Sequence, residues 1–358
     1  MKKVLKAFLI ILLVVVIALG GLLGYFSVKE YRPADVEEAE RVQDVASAVL
    51  SVPDGGRDLK ILSWNIGYGG LGAGSDFVMD GGTHARAADE ATVGKYMAGI
   101  EDVCAGEYDL LLLQEVDTKS ARTYRIDEKK VLSRGDAAFA LNYSCPFVPN
   151  PSTIVTDPIG MVNSGLLTCS GFSTDKAERI ALPCPFSWPL RTVNLKRCLL
   201  VSYIPVEGSD KQLVLVNLHL EAYDSGEGKI AQTKQLREFI QAEYEKGNYV
   251  IAGGDFNQVF PGSLAAYPNE HPDLWIPGEL DESYLPDGEG WQFAYDSGTP
   301  TCRLLNQPYD PSDTVNTQYY VIDGFILSPN VELRKAETLD LGFQDSDHNP
   351  VCIEVTLK

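Results

Sequence analysis

Apolar runs that close on a single polar side chain recur along this chain. Leu59–Asn65, Asp109–Val116, Gln212–His219 and Tyr249–Asp255 each carry β-branched or aliphatic residues at nearly every position, then stop at Asn65, Glu115, His219 and Asp255. Continuous apolar runs of this length predict strands buried on both faces. Asn163–Cys169 and Arg197–Pro205 predict two more strands, read as neighbours across a Pro-rich connection. Tyr319–Leu327, interrupted at Asp323-Gly324, and Val351–Val355 complete the set. Ala87–Cys104 and Lys229–Tyr244 space their apolar positions for helices. Residues 261–318, rich in Pro, Gly, Asp and Tyr, read as long surface loops.

One run differs in kind. Ala7 to Val28 contains no charge and follows Lys2, Lys3 and Lys6. It is long enough to span a bilayer core. No small-x-small cleavage site follows Leu23, so residues 1–28 read as an uncleaved signal-anchor rather than a cleaved leader. The preceding lysines place the N-terminus in the cytoplasm and the remainder outside, in a single-pass cell-membrane protein. Residues 29–57 read as a juxtamembrane linker, with Asp35–Leu50 as a loosely periodic helix. The turn residues of Val52-Pro-Asp-Gly-Gly mark the start of a catalytic domain over 58–358.

Composition narrows the function. A net charge of −20 disfavours long polyanions as partners. It leaves room for one phosphodiester at a metal site, where a cation inverts the local field. Lys119, Arg122, Arg125, Lys129, Lys130 and Arg134 could form a basic rim, but read more simply as a solvated face. The seven cysteines contain no CxxC pair, which argues against zinc and leaves disulfide pairing open. The glycine-rich loop 67–82 lacks the phosphate-binding-loop pattern and reads as a flexible or substrate-facing loop.

The candidate chemistry lies at the ends of the strands. Gly253-Gly254 breaks a buried strand just before Asp255 and Asn257, which an extended chain would point to one face. Taken alone, that pair reads equally as a turn closing a strand. Asn65, Glu115, His219, Asp323, and Asp347 with His348 stand in comparable positions. In order and spacing, Leu-Ser-Trp-Asn-Ile, Leu-Leu-Gln-Glu-Val, Val-Asn-Leu-His-Leu, Gly-Gly-Asp-Phe-Asn, Ile-Asp-Gly-Phe-Ile-Leu and Ser-Asp-His-Asn-Pro-Val resemble the endonuclease/exonuclease/phosphatase family, the deoxyribonuclease I-like fold.

The resemblance implies a four-layer α/β/β/α sandwich of two mixed sheets flanked by helices, here preceded by one transmembrane helix. It implies Mg²⁺, with Mn²⁺ as the alternative, held chiefly by Glu115 with Asn65 beside it and Asp347 nearby. Asp255 would orient or deprotonate the attacking water, and Asn257 would position water and phosphate. His348 would donate to a phosphate oxygen, oriented by Asp323, and His219 would be a candidate general acid. The implied function is a membrane-anchored, metal-dependent phosphoesterase, with a diester favoured over a monoester. Its substrate would be a lipid headgroup, a nucleotide or a nucleic acid. A secreted or surface nuclease and a catalytically silent binding module are the alternatives.

Overall fold

The computed structural model describes residues 2–45, 48–151, 153, 156–224, 226–313 and 315–358. In chain order its strands begin with β1 (Val36–Glu38), β2 (Glu40–Asp44), β3 (Arg57–Asn65), β4 (Leu110–Asp117), β5 (Asp136–Val148) and β6 (Gly160–Ser170). They continue with β7 (Lys176–Ala181), β8 (Cys198–Pro205), β9 (Gln212–His219), β10 (Tyr249–Asp255), β11 (Gln258–Val259) and β12 (Gly278–Glu279). The last are β13 (Gln292–Ala294), β14 (Cys302–Arg303), β15 (Tyr319–Tyr320), β16 (Asp323–Leu327), β17 (Val331–Thr338) and β18 (Val351–Leu357). The helices are α1 (Lys2–Lys29), α2 (Glu90–Cys104), α3 (Glu128–Leu132) and α4 (Glu227–Glu245).

Two seven-stranded mixed sheets carry the fold, ordered β1-β7-β8-β9-β10-β16-β13 and β17-β18-β3-β4-β6-β5-β2. Alternation along the strands explains how they stack. Ile61, Leu110 and Leu112 of one sheet meet Leu213, Leu215 and Ile251 of the other in a shared core. Their neighbours Leu62, Trp64, Leu111 and Leu113 point the opposite way, onto Val93, Met97 and Ile100 of α2. Val214, Val216, Val250 and Ala252 likewise point outward, onto Leu236 and Ile240 of α4. Every central strand is therefore covered on both faces, which is why its sequence reads as an unbroken apolar run. The result is the four-layer sandwich.

Helix α1 has 28 residues, about 42 Å of helix at 1.5 Å per residue, and buries none of them against the domain. It is long and apolar enough to cross a membrane.

The segment after α1 departs from expectation. Residues 29–57 are not a free linker, and no helix forms over 35–50, of which 46 and 47 lie outside the described residues. Instead β1 pairs with β7 at the edge of one sheet, and β2 pairs with β5 at the edge of the other. Ala39 and Leu50 are buried in the cores. Edge strands need only one apolar face, so their sequence carries little pattern.

Two further expectations change. The strand at 163–169 (β6) lies between β4 and β5, whereas that at 197–205 (β8) lies in the opposite sheet. The intervening β7 moves the chain across the sandwich, so the two runs are not neighbours. The break in Tyr319–Leu327 falls at Val321–Ile322, and Asp323 opens β16. Because β16 runs antiparallel to β10, its first residue reaches the same sheet edge as the last residue of β10. The 261–318 region is largely irregular with short paired strands, as its composition predicts. All seven cysteines are unpaired, and all but Cys184 are buried.

Candidate active site

Strand β10 brings Asp255 to the edge of its sheet between two partners. Parallel pairing sets Asp255 opposite His219 of β9, and antiparallel pairing sets it opposite Asp323 of β16. The two glycines before it are required by close packing. A Cβ on Gly253 would lie 2.2 Å from the Phe325 ring, and one on Gly254, at φ +149°, 1.9 Å from the Leu218 carbonyl oxygen.

Asp255 Oδ1 accepts the Asn257 backbone N–H at 2.8 Å, so the turn reading of this stretch is also correct. The strand stops at Asp255, and Asn257 takes a left-handed backbone at φ +51° rather than the extended continuation. The Asn257 amide donates to the Leu220 carbonyl at 2.9 Å, and the residue still lines the same cavity as Asp255.

The second oxygen of Asp255 is the meeting point of the site. Asp255 Oδ2 lies 3.0 Å from Asn65 Nδ2, 3.4 Å from His219 Nε2 and 3.9 Å from His348 Nε2. Burial, and then the Asp323 carboxylate, push the Asp255 carboxyl up to about 7. His348 Nδ1 is bonded to Asp323 Oδ2 at 2.8 Å. Burial opposes charge on that ring, but the Asp323 carboxylate outweighs it and holds His348 well above the ordinary histidine value. His219 is the opposite case. Burial, followed by the nearby Arg197 and His348 charges, holds it well below that value, so its ring is neutral near pH 7. Two histidines around one carboxylate thus take different protonation states.

Glu115 reaches the site through an irregularity. The pairing of β4 with β6 slips between Leu113 and Val116, and Glu115 adopts φ +56°. The bulge turns its side chain out of the ladder, leaving it 26 % exposed at the cavity. Asn65 Nδ2 also reaches Glu115 Oε1, at 3.2 Å. Asp347 is pushed up to about 7 by burial, with the Glu115 charge adding to the rise.

A hard divalent cation fits this corner, because it would neutralise the buried Asp347 carboxyl, which the Glu115 charge otherwise helps to raise. Glu115 and Asp347, with Asn65 beside them, would hold it. A different trio, Asp255, Asp323 and His348, brings ligand atoms within 4.8 Å of one another. There the His348 Nδ1 is already committed to Asp323, so we read that trio as a proton-holding chain and the Glu115 corner as the metal position.

Of the eight expected site residues, seven line one cavity of about 420 Å³, and Asp323 stands behind His348. Other lining residues were not foreseen. The Arg122 guanidinium forms a bidentate pair with Asp117 at 2.9 and 3.0 Å and stacks 3.4 Å over the Tyr68 ring. Arg122 is therefore buried at the site, not part of a solvated face, and Lys129 is buried as well. Loop residues 67–72 are buried, and Tyr68 and Leu71 line the cavity, so this part of the glycine-rich loop is packed wall rather than a flexible loop. Much of the remaining wall is apolar, including Leu71, Phe77, Ile159, Trp275 and Leu305. The five-residue spacing from Asp117 to Arg122 was the available signal for that pair. Nothing local marks Tyr68 or Trp275.

The profile of the endonuclease/exonuclease/phosphatase family matches residues 62–348. No curated protein matches the chain. Among solved structures, an endonuclease/exonuclease/phosphatase from Beutenbergia cavernae is 16% identical with a TM-score of 0.52, covering 84% of this chain and 72% of its own. A family protein from Bacteroides thetaiotaomicron is 14% identical with a TM-score of 0.51, covering 85% of this chain and 99% of its own. One from Leptotrichia buccalis is 15% identical with a TM-score of 0.50, covering 83% and 99%. At these identities the likeness is one of fold.

Proposed function

Because the chain belongs to the endonuclease/exonuclease/phosphatase family, whose members hydrolyse phosphate esters, we propose that it is a membrane-anchored, Mg²⁺-dependent phosphodiesterase. The observation that carries this reading is the convergence of Asn65, His219 and His348 on one oxygen of Asp255, at the floor of an open cavity. A carboxyl poised at about 7 can take a proton from water at neutral pH, which assigns Asp255 as the base. Asn257 holds its turn and faces the same space. His348, kept charged by Asp323, donates to a phosphate oxygen as negative charge builds on it. His219, neutral, donates an N–H hydrogen bond to the leaving oxygen, which takes its proton from solvent. A divalent ion at Glu115, Asn65 and Asp347 would supply Lewis-acid stabilisation of the phosphate.

The apolar wall around Phe77, Ile159 and Trp275 favours an ester with an apolar portion. With the acidic net charge, this ranks a lipid phosphodiester above a nucleotide and well above DNA. The α1 span supports single-pass anchoring with the domain outside the cytoplasm.

The test is a hydrolysis screen of the full chain in detergent against sphingomyelin, phosphoinositides, nucleotides and DNA, with Mg²⁺, Mn²⁺ or EDTA. We expect metal-dependent turnover, highest on a lipid diester, and its loss in Glu115→Gln. Turnover that survives both EDTA and Glu115→Gln refutes the mechanism.

A further inference from the structure

A second cavity, of about 410 Å³, opens at the foot of α1 and meets the catalytic cavity only at Arg197, which lines both. Its walls carry Arg32, Arg179, Arg191, Lys196 and Arg197 against two acids, Glu30 and Asp35. In a chain of net charge −20 this is a local reversal of sign. Glu30 answers the outer cations, at 3.0 Å from Arg32, 2.9 Å from Arg191 and 3.5 Å from Lys196.

The inner cations are less well answered. Arg179 is 1% exposed and Arg197 4%. Arg179 donates to the Leu141 and Lys196 carbonyls at 2.9 and 2.8 Å, but its Nη1 has no acceptor. Arg197 leaves both Nε and Nη1 without one. The acids beside them, Glu37 and Glu221, stand off at 3.8 Å each. Buried guanidinium N–H groups without acceptors are unfavourable, and several on the walls of one cavity call for an anion.

The cavity's position identifies the source of that anion. Glu30 directly follows the last residue of α1. Arg32 Nη2 donates to the Ser27 carbonyl at 3.1 Å, and Trp188 Nε1 donates to Ser27 Oγ at 3.0 Å. Trp188 and Leu190, on the loop that also carries Arg191, remain 54% and 61% exposed. An exposed indole and leucine beside basic side chains, at the end of an apolar span, match the headgroup level of a bilayer.

We propose that this cavity binds the phosphate of an anionic phospholipid headgroup in the leaflet that α1 leaves, through Arg179, Arg191, Lys196 and Arg197. The proposal goes beyond the hydrolytic reading and rests on α1 being a membrane span. It concerns a lipid held as a ligand, distinct from the ester that is cleaved.

The test measures binding to the full chain in detergent, with EDTA present so that no hydrolysis intervenes. The probes are dihexanoylphosphatidylglycerol, dihexanoylphosphatidylcholine and inorganic phosphate. We expect the glycerol lipid to bind about tenfold or more tightly than the choline lipid, and Arg191→Gln/Lys196→Gln to weaken it by a similar factor. Hydrolysis of a soluble diester should be unchanged in that variant. Equal binding of the two lipids by the unaltered chain, or unchanged affinity in the variant, overturns the proposal. Inorganic phosphate binding as tightly as the glycerol lipid overturns the lipid assignment in favour of a free-phosphate site. Carbonate extraction of membranes from expressing cells tests the anchor separately. Release of the chain there removes the anchor reading and with it the leaflet as the source of the ligand.

Discussion

Asn65 Nδ2 donates to Asp255 Oδ2 at 3.0 Å across the gap between the two sheets. The bond joins the end of β3 to the end of β10, so the stacking of the sandwich sets the geometry of the site. It also tunes it, because this hydrogen bond works against the burial that raises the Asp255 carboxyl. Replacing Asn65 with Ala should move the acidic limb of the pH–rate profile above the wild-type position near pH 7. An unmoved limb would separate Asp255 from the rate-controlling proton.

Asp255→Asn should lower kcat by about 10²- to 10⁴-fold, the range expected for removal of a general base. The fold should be retained, because the change removes a desolvated acid and keeps an acceptor for the Asn257 N–H. Turnover with thermal melting in parallel checks both halves of the statement.

Asp323→Asn should lower the pH above which activity falls. His348 owes its raised proton affinity to the Asp323 carboxylate, against the effect of burial. Without that charge the ring loses its proton at lower pH, so the alkaline limb shifts downward, and the acidic limb shifts downward with it because the same carboxylate raises Asp255. A profile in which only the height changes would contradict the orienting and charging role assigned to Asp323.

The free energy of folding should depend on pH and on divalent ions in a linked way. Asp255 and Asp347 rise from an ordinary value of 3.8 to about 7 in the folded chain. The folded state therefore holds protons that the unfolded chain releases. This contribution is full below about pH 4 and is lost as pH rises through about 7. EDTA-treated protein in detergent should melt lower at pH 8 than at pH 5.5, by on the order of a few degrees, and Mg²⁺ should recover the difference at pH 8. Equal melting with and without Mg²⁺ at pH 8 would count against a cation at the Glu115 corner.

Arg122→Leu should destabilise the fold by about 3–5 kcal/mol, because it strands the fully buried Asp117 carboxylate. Denaturant melts of the two proteins measure this directly. A loss below about 1 kcal/mol would return Arg122 to the solvated surface that its sequence context suggests.

The parts of this molecule legible in the sequence were those whose cause is local. Strands β3, β4, β9 and β10 are buried on both faces, so each appears as an apolar run, and its polar end marks where the strand meets the cavity. Gly253 and Gly254 are legible for the same reason, since the close approach of Phe325 and Leu218 excludes a side chain. What stayed hidden depends on contacts between distant segments. Arg122 looked solvated because Tyr68, the ring it stacks on, comes from another loop. Runs β6 and β8 looked adjacent because nothing in either records which sheet it joins. Edge strands β1 and β2 gave a false helical period, because an edge strand needs only one apolar face and Glu38, Glu40 and Arg41 stand exposed.

Those two short strands have a mechanical consequence. One chain segment, Val36–Asp44, closes an open edge on each sheet, and it is also the covalent route from helix α1 to the domain. The chain that leaves α1 is thus clasped to both sheets within a few residues rather than left as a swivel. A protease cut after Asp44 would release the domain with two bare edges, each a template for pairing with another copy. Separation from α1 would then be coupled to loss of solubility, whereas a cut before Pro33 would free a domain with both edges still covered.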